Sequence, residues 1–278
     1  MLSFSERLKK KIHEYSPLCV GIDPSASVLK SCGLPDTAEG ALELGRRVLS
    51  AAQYRIAIIK PQSAFFERFG SAGVRALEEL TRLAHSHDVL VLVDGKRGDI
   101  ESTGAAYAEG YFGRNASLHA DAVTTHAYLG FDALTPFFDI AIAAGAGVFV
   151  VVRSSNPEGK PLQTARTASG ETVALALANE ITKRNRHYTQ ETPGPIGAVV
   201  GATCEDAAEI VAALPHSFIL APGVGAQGAT MNDVLARMPA ARGRVLPNVS
   251  RAIFANGGAP EQIAMTIRTL QDQARALL

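Results

Sequence analysis

VLVLVDGKRGDIEST, residues 89–103, runs from five apolar residues into a cluster of charge and then into a helix-forming stretch. The apolar run reads as a strand buried on both faces, as the strands of parallel sheets are. Asp94 and Lys96 stand two apart, so an extended backbone turns them to the same side. Asp99 precedes the helical stretch IESTGAAYAEG. A strand that ends in charge and feeds a helix is one βα unit, and the same unit recurs along the chain.

The other apolar runs are LCVGID (18–23), RIAIIK (55–60), ADAVTTH (120–126), GVFVVV (147–152), IGAVVG (196–201), SFILA (217–221) and GRVLPNV (243–249), most followed by Ala/Leu/Glu-rich segments of helical spacing. Pro247 and Asn248 interrupt the eighth. Eight such units predict an α/β fold, a (β/α)8 TIM barrel in a single domain over 1–278, rather than an open sheet. The rhythm breaks at NPEGKPLQTARTASGET (156–172), polar and long for a βα loop, which reads as a mobile flap or a tolerated insertion.

Bulk properties narrow the class. Hydrophobic residues make up 47% of the chain, ample for a sizeable core. Lys plus Arg and Asp plus Glu are each 27, so no basic field would attract a nucleic acid polymer or an anionic membrane, and phosphate binding would need a local site. Cys19, Cys32 and Cys204 have no metal-ligand spacing and fit free thiols in a reducing, cytoplasmic setting. The charged start MLSFSERLKKKIHEYS lacks the apolar segment of a signal peptide, and runs such as Val148 to Val152 are too short to span a bilayer.

In such barrels the chemistry sits at the carboxyl ends of the strands. Those ends here carry Asp23, Lys60, Asp94 with Lys96 and Asp99, Thr125 with His126, and Ser154, Ser155 and Asn156. Lys60 on the neighbouring strand completes an expected array of two cations and two anions, which would fix each other's ionisation. The bland alternative makes Asp99 a helix cap and Asp94–Lys96 a solvated ion pair. A second cluster, PGVGAQG (222–228) followed by SRAIF (250–254), suits a phosphate: glycines admit backbone N–H groups, Gln227 offers an amide, and Arg251 can grip two oxygens. His126 reads as a hydrogen-bonded residue of the mouth rather than a catalyst. Ser155 could cap a turn or bond a heterocycle edge. Tyr107, Tyr111 and Phe112 read as ordinary helix packing.

GIDPS (21–25), Lys60, DGKRGDIEST (94–103), RSSNP (153–157), APGVGAQG (221–228) and SRAIF (250–254) stand in an order that resembles the orotidine 5'-monophosphate (OMP) decarboxylase family, in its longer-chain branch. The resemblance spans essentially the whole barrel. It implies decarboxylation of OMP to UMP, the last step of de novo UMP synthesis, with Lys60, Asp94, Lys96 and Asp99 as a catalytic tetrad and Lys96 as proton donor. It implies that Asp23, Lys60 and Thr103 contact the ribose, that Ser155 bonds the pyrimidine, and that Gln227 and Arg251 hold the phosphate, with Ser250 beside them. Asp99, Ile100 and Thr103 would enter the neighbouring subunit's site, making the enzyme a homodimer with shared sites. Glu101 and Ser102 stand where shorter members commonly have Pro-Asn, and Ala229 replaces a second glycine.

No Rossmann fingerprint, P-loop or metal-ligand cluster is present in the sequence, so no cofactor and no metal is expected, and the site itself must stabilise a carbanion. Sugar-phosphate lyases of the same superfamily are the nearest rival. They use an acidic metal ligand at the end of strand two, where this chain has Lys60. A non-catalytic nucleotide-binding barrel is the other rival, and the presence of all four tetrad residues argues against it.

Overall fold

The computed structural model describes residues 2–188, 193–225 and 228–278. Eight parallel strands close into a barrel in sequence order. They are β1 (Cys19–Ile22), β2 (Ile58–Pro61), β3 (Leu90–Arg97), β4 (Ala122–His126), β5 (Gly147–Arg153), β6 (Ile196–Val200), β7 (Ile219–Ala221) and β8 (Val245–Val249), with helices between them. The seam is shut by β1 against β8, with Cys19 opposite Asn248 and Val20 opposite Val249. The TIM barrel expected from the apolar runs is therefore the fold.

Alternation along each strand explains why the runs are apolar throughout. Val91, Val93, Val123, Val148 and Val150 belong to the outer layer shared with the helices. Leu90, Leu92, Ala122, Phe149, Phe218 and Leu246 fill the interior together with Phe4, Leu8 and Ile12. Those last three lie on the helix Phe4–Glu14, which starts with a reciprocal cap between Ser3 and Glu6. A β-carbon on Gly147, the first residue of β5, would lie 2.4 Å from the Phe4 ring. The helix thus closes the amino-terminal end of the barrel, and glycine leaves room for it. Asp121 ties this end together, accepting from Val91 N and bonding His85 and Arg7.

Two local expectations change. Arg55–Ala57 precede β2 rather than form part of it. The segment 156–172 carries structure of its own: a 3-10 turn at Pro157–Gly159, the short helix Lys160–Gln163, and an antiparallel bridge between Arg166 and Thr172. Thr172 Oγ1 then accepts Leu175 N–H at the start of the helix Val173–Tyr188. In β8, Pro247 pairs with Ala221 of β7, and the Asn248 carboxamide donates to Cys19 O of β1. Pairing on both sides offsets the N–H that Pro247 lacks.

Candidate active site at the carboxyl ends of the strands

Interior positions at the ends of β2 and β3 bring Lys60 and Asp94 together. Lys60 Nζ donates to Asp94 Oδ2 at 2.8 Å, and Lys96 Nζ donates to Asp94 Oδ1 at 2.6 Å. Lys60 and Asp94 are buried, whereas half of the Lys96 side chain is exposed. Burial by itself would raise the Asp94 pKa, but Lys60, then Lys96, outweighs it and holds the carboxyl well below the usual carboxylate range. Burial likewise disfavours the Lys60 ammonium, and Asp94, followed by Asp23, more than restores it. The site presents a carboxylate fixed as an anion and a solvent-reached ammonium bound to it.

Lys96 does not reach Asp94 through regular extended chain. Val93 pairs with Val123 and Arg97 with Thr125, so Asp94, Gly95 and Lys96 stand opposite Thr124 alone. Within this bulge Lys96 has φ +45°, a left-handed backbone that costs a side-chain-bearing residue roughly 1 kcal/mol or more. Thr124 Oγ1 accepts the Lys96 N–H at 3.0 Å and donates to Asp94 Oδ1 at 2.8 Å. Sequence reasoning passed over Thr124, because Val-Thr-Thr reads as ordinary β-branched strand.

Across the mouth, Asp23 Oδ1 lies 4.0 Å from Lys60 Nζ. Asp23 Oδ1 and Ser250 Oγ are buried and have no hydrogen-bond partner among the described residues. Ser250 packs against β1 so closely that a β-carbon on Gly21 would lie 2.7 Å from its own. The loop after β7 turns through Gly223, Gly225 and Gly228, all at positive φ, and closes with Gly225 N donating to Ala229 O. Gly225 faces Ala252 in the 3-10 turn Arg251–Phe254, where a β-carbon would come within 2.8 Å. Arg251 is exposed at the head of that turn. The loop after β7 and the turn after β8 thus adjoin, as a shared phosphate cradle requires. Gln227 lies outside the described residues.

The end of β5 is held from several sides. Arg153 Nε donates to both oxygens of Asp206, at 3.1 and 3.0 Å. Gln163, from the segment 156–172, accepts Ser154 N–H at 3.0 Å and donates to Ser154 Oγ at 2.8 Å. Gly201 N donates to Arg153 O, and a β-carbon there would meet Ser155 at 2.9 Å. Ser155 therefore sits on a backbone braced partly by the long loop.

Asp99 does not join the other three charges as an ion pair among the described residues. Its carboxylate accepts the N–H of Ile100, and the helix Glu101–Phe112 has Ile100, not Asp99, at its cap. Ile100 is 51% exposed, and Thr103 is exposed on the helix behind it. Tyr111 and Phe112 pack inward as expected, but Tyr107 is 40% exposed. Tyr128 and Leu129, on the loop after β4, are exposed as well. That loop adjoins the Gly98 turn, where a β-carbon would lie 2.5 Å from His126 O. His126 Nδ1 faces Tyr128 N–H at 3.5 Å.

The three buried cysteines are free thiols, and burial pushes Cys19 up to about 12. No helix among the described residues is long and apolar enough to cross a membrane.

Residues 16–267 match the model of the orotidine 5'-phosphate decarboxylase / HUMPS family. A curated relative named orotidine 5'-phosphate decarboxylase, from Salinispora arenicola, is 47% identical over 92% of this chain and 91% of its own. A solved structure from Streptomyces avermitilis superposes with TM-score 0.93 at 40% identity, covering 100% of this chain and 96% of that one. The OMP decarboxylase of Leishmania donovani superposes with TM-score 0.80 at 32% identity, over 99% and 98% of the two chains.

Proposed function

The chain belongs to the orotidine 5'-phosphate decarboxylase / HUMPS family, and from that premise we propose that it decarboxylates orotidine 5'-monophosphate to UMP by direct electrostatic stabilisation of a carbanion. The observation that carries the reading is the Asp94 carboxylate held between two ammonium groups, Lys60 on one oxygen and Lys96 on the other.

In this reading the bond from C6 of the pyrimidine to its carboxylate breaks, CO2 departs, and the electron pair stays on C6. The Lys96 ammonium faces that pair, stabilises it, and transfers a proton to form the C6–H bond. The 51% exposure of the Lys96 side chain supports reprotonation from solvent. Asp94, kept ionised by its two partners, opposes the substrate carboxylate and aids its expulsion. Asp23 and Lys60 take the ribose hydroxyls, which suits an Asp23 oxygen with no hydrogen-bond partner among the described residues. Ser155 takes the pyrimidine edge. Gln227, Ser250 and Arg251 take the phosphate, so that binding energy from a non-reacting group orients the ring.

Asp99, Ile100 and Thr103 act in the site of a second copy, in a homodimer. The exposed Ile100, Tyr107, Tyr128 and Leu129 support this, since such apolar surface favours a partner over water. Besides that second copy, the site calls for the nucleotide, with no nucleic acid polymer and no membrane. Lys60 argues against the metal-dependent sugar-phosphate reaction of related barrels, because an ammonium at the end of β2 repels a divalent ion.

The test is loss of OMP ultraviolet absorbance with purified protein, with and without EDTA. Turnover indifferent to EDTA is expected. No turnover, or turnover abolished by EDTA and restored by Mg2+, would overturn the proposal.

A further inference from the structure

We infer that Thr124 is a positioning residue for decarboxylation: its single hydroxyl sets both the Asp94 carboxylate and the backbone that aims Lys96. The inference rests on the OMP reading, but its geometric part stands without it.

The bulge in β3 supplies the first argument. Three residues, Asp94 to Lys96, stand opposite one, so the regular ladder with β4 is interrupted where the charges sit. A backbone N–H in the barrel wall needs an acceptor. For Lys96 that acceptor is Thr124 Oγ1, a side-chain atom. The left-handed backbone of Lys96 is retained only if its surroundings impose it. This hydrogen bond is the contact that does so from the neighbouring strand.

The second argument is the direction of the proton. Because Thr124 Oγ1 accepts from Lys96 N–H, its own hydrogen is free for Asp94 Oδ1, 2.8 Å away. The same oxygen receives Lys96 Nζ at 2.6 Å. Thr124 therefore closes a ring: backbone of Lys96, hydroxyl of Thr124, carboxylate of Asp94, ammonium of Lys96. Rotation of the carboxylate or relaxation of the bulge breaks the ring and moves the ammonium.

Thr125 provides the contrast. It is the same residue type, one step along β4 and equally buried, yet its hydroxyl has no hydrogen-bond partner among the described residues. Strand propensity and packing would be served as well by valine at both positions. Of the two hydroxyls, the one at 124 alone makes a hydrogen bond among the described residues.

The experiment compares Thr124→Val, Thr124→Ser and Thr125→Val in the full chain, measuring kcat and KM for OMP, UMP affinity, and crystal structures of the variants. Thr124→Val is expected to lower kcat about ten- to a hundred-fold, the scale of one hydrogen bond to a charged group, with UMP affinity within about two-fold. Thr124→Ser should recover most of the loss, and Thr125→Val should match the parent protein. In the Thr124→Val crystal the Lys96 ammonium should lie outside hydrogen-bond reach of Asp94. Parental kcat in Thr124→Val, a loss that serine does not recover, or an unmoved Lys96 ammonium would each overturn the inference. A parent protein inert toward OMP would end the functional reading instead, and the crystal comparison would still decide the geometry.

Discussion

Lys60 Nζ lies 2.8 Å from Asp94 Oδ2, and the two residues are 4% and 6% exposed. A pair this buried is balanced: the attraction offsets desolvation only while both charges are present. We expect Asp94→Asn to abolish turnover and also to destabilise the fold by about 3–5 kcal/mol, because it leaves the buried Lys60 ammonium with the Asp23 carboxylate at 4.0 Å as its sole counter-charge among the described residues. Urea unfolding gives the number. The double variant Lys60→Met/Asp94→Leu should recover much of that stability while remaining inactive. Loss of less than about 1 kcal/mol in the single variant would show that water reaches the pair.

The pH dependence of this contribution has a definite sign. Asp94 is shifted down, so its stabilisation is fully present above the unfolded carboxyl pKa of about 3.9 and is lost as pH falls through the lower folded value. Lys60 is shifted up, so its stabilisation is fully present below about 10.4 and is lost as pH rises through the higher folded value. The pair's contribution to the parent's stability, taken against Lys60→Met/Asp94→Leu, should therefore be flat from about pH 5 to pH 9. A slope inside that window would mean that one of the two groups titrates within it in the folded protein, with its pKa shifted inward rather than outward.

Lys96→Ala removes the candidate proton donor but leaves Lys60 and Asp94 paired. Turnover should fall by at least the 10²- to 10⁴-fold range typical of a general acid, roughly, while UMP binding stays measurable by calorimetry. Stability should change little, since the Lys96 side chain is half exposed. Near-parental turnover would remove Lys96 from the role.

Much of this arrangement was legible in the sequence, for a physical reason. Strands buried on both faces must be apolar until they leave the barrel, so a charge at the end of an apolar run marks the mouth. That logic found Asp23, Lys60, Asp94 and Lys96. It gave the right pairing of Asp94 with Lys96 for an incomplete reason: residues two apart do meet, but through a bulge with Lys96 at φ +45°. Neither the bulge nor Thr124 has a local signature, because both depend on how β3 is offset against β4. Gln163 was hidden for a related cause. Its bonds to Ser154 come from chain that folds back on the end of β5. Asp99 read as a fourth member of the array because spacing does not show which way a side chain leaves the strand end; its carboxylate accepts the Ile100 N–H instead of an ammonium among the described residues.

Arg251 tests the remote end of the site. It is exposed on the turn after β8, whose Ala252 faces Gly225 of the loop after β7, far in sequence from the charged groups. We expect Arg251→Ala to lower kcat/KM for OMP by about 30- to 1,000-fold, the loss of a bidentate charged contact worth roughly 2–4 kcal/mol. Orotidine lacking the phosphate should be turned over equally by the variant and the parent. Unchanged kinetics on OMP would place the phosphate elsewhere.

The shared-site proposal makes the most demanding prediction, because two inactive proteins should produce an active one. Asp94→Asn disables the site of its own chain, whereas Asp99→Ala should disable the site of its partner. When the two are mixed under conditions that exchange subunits, half of the dimers are hybrids on a statistical basis. Each hybrid holds one defective site carrying both changes and one site with Asp94 and Asp99 intact. Activity should therefore recover to about one quarter of the parental value, as the two-fold symmetry of a dimer requires. Ile100→Glu, which puts charge into an exposed apolar position, should shift the protein toward monomer in sedimentation velocity and block the recovery. Mixtures that stay inactive while subunits demonstrably exchange would mean that Asp99 serves its own chain, and the isolated position of its carboxylate would then need another cause.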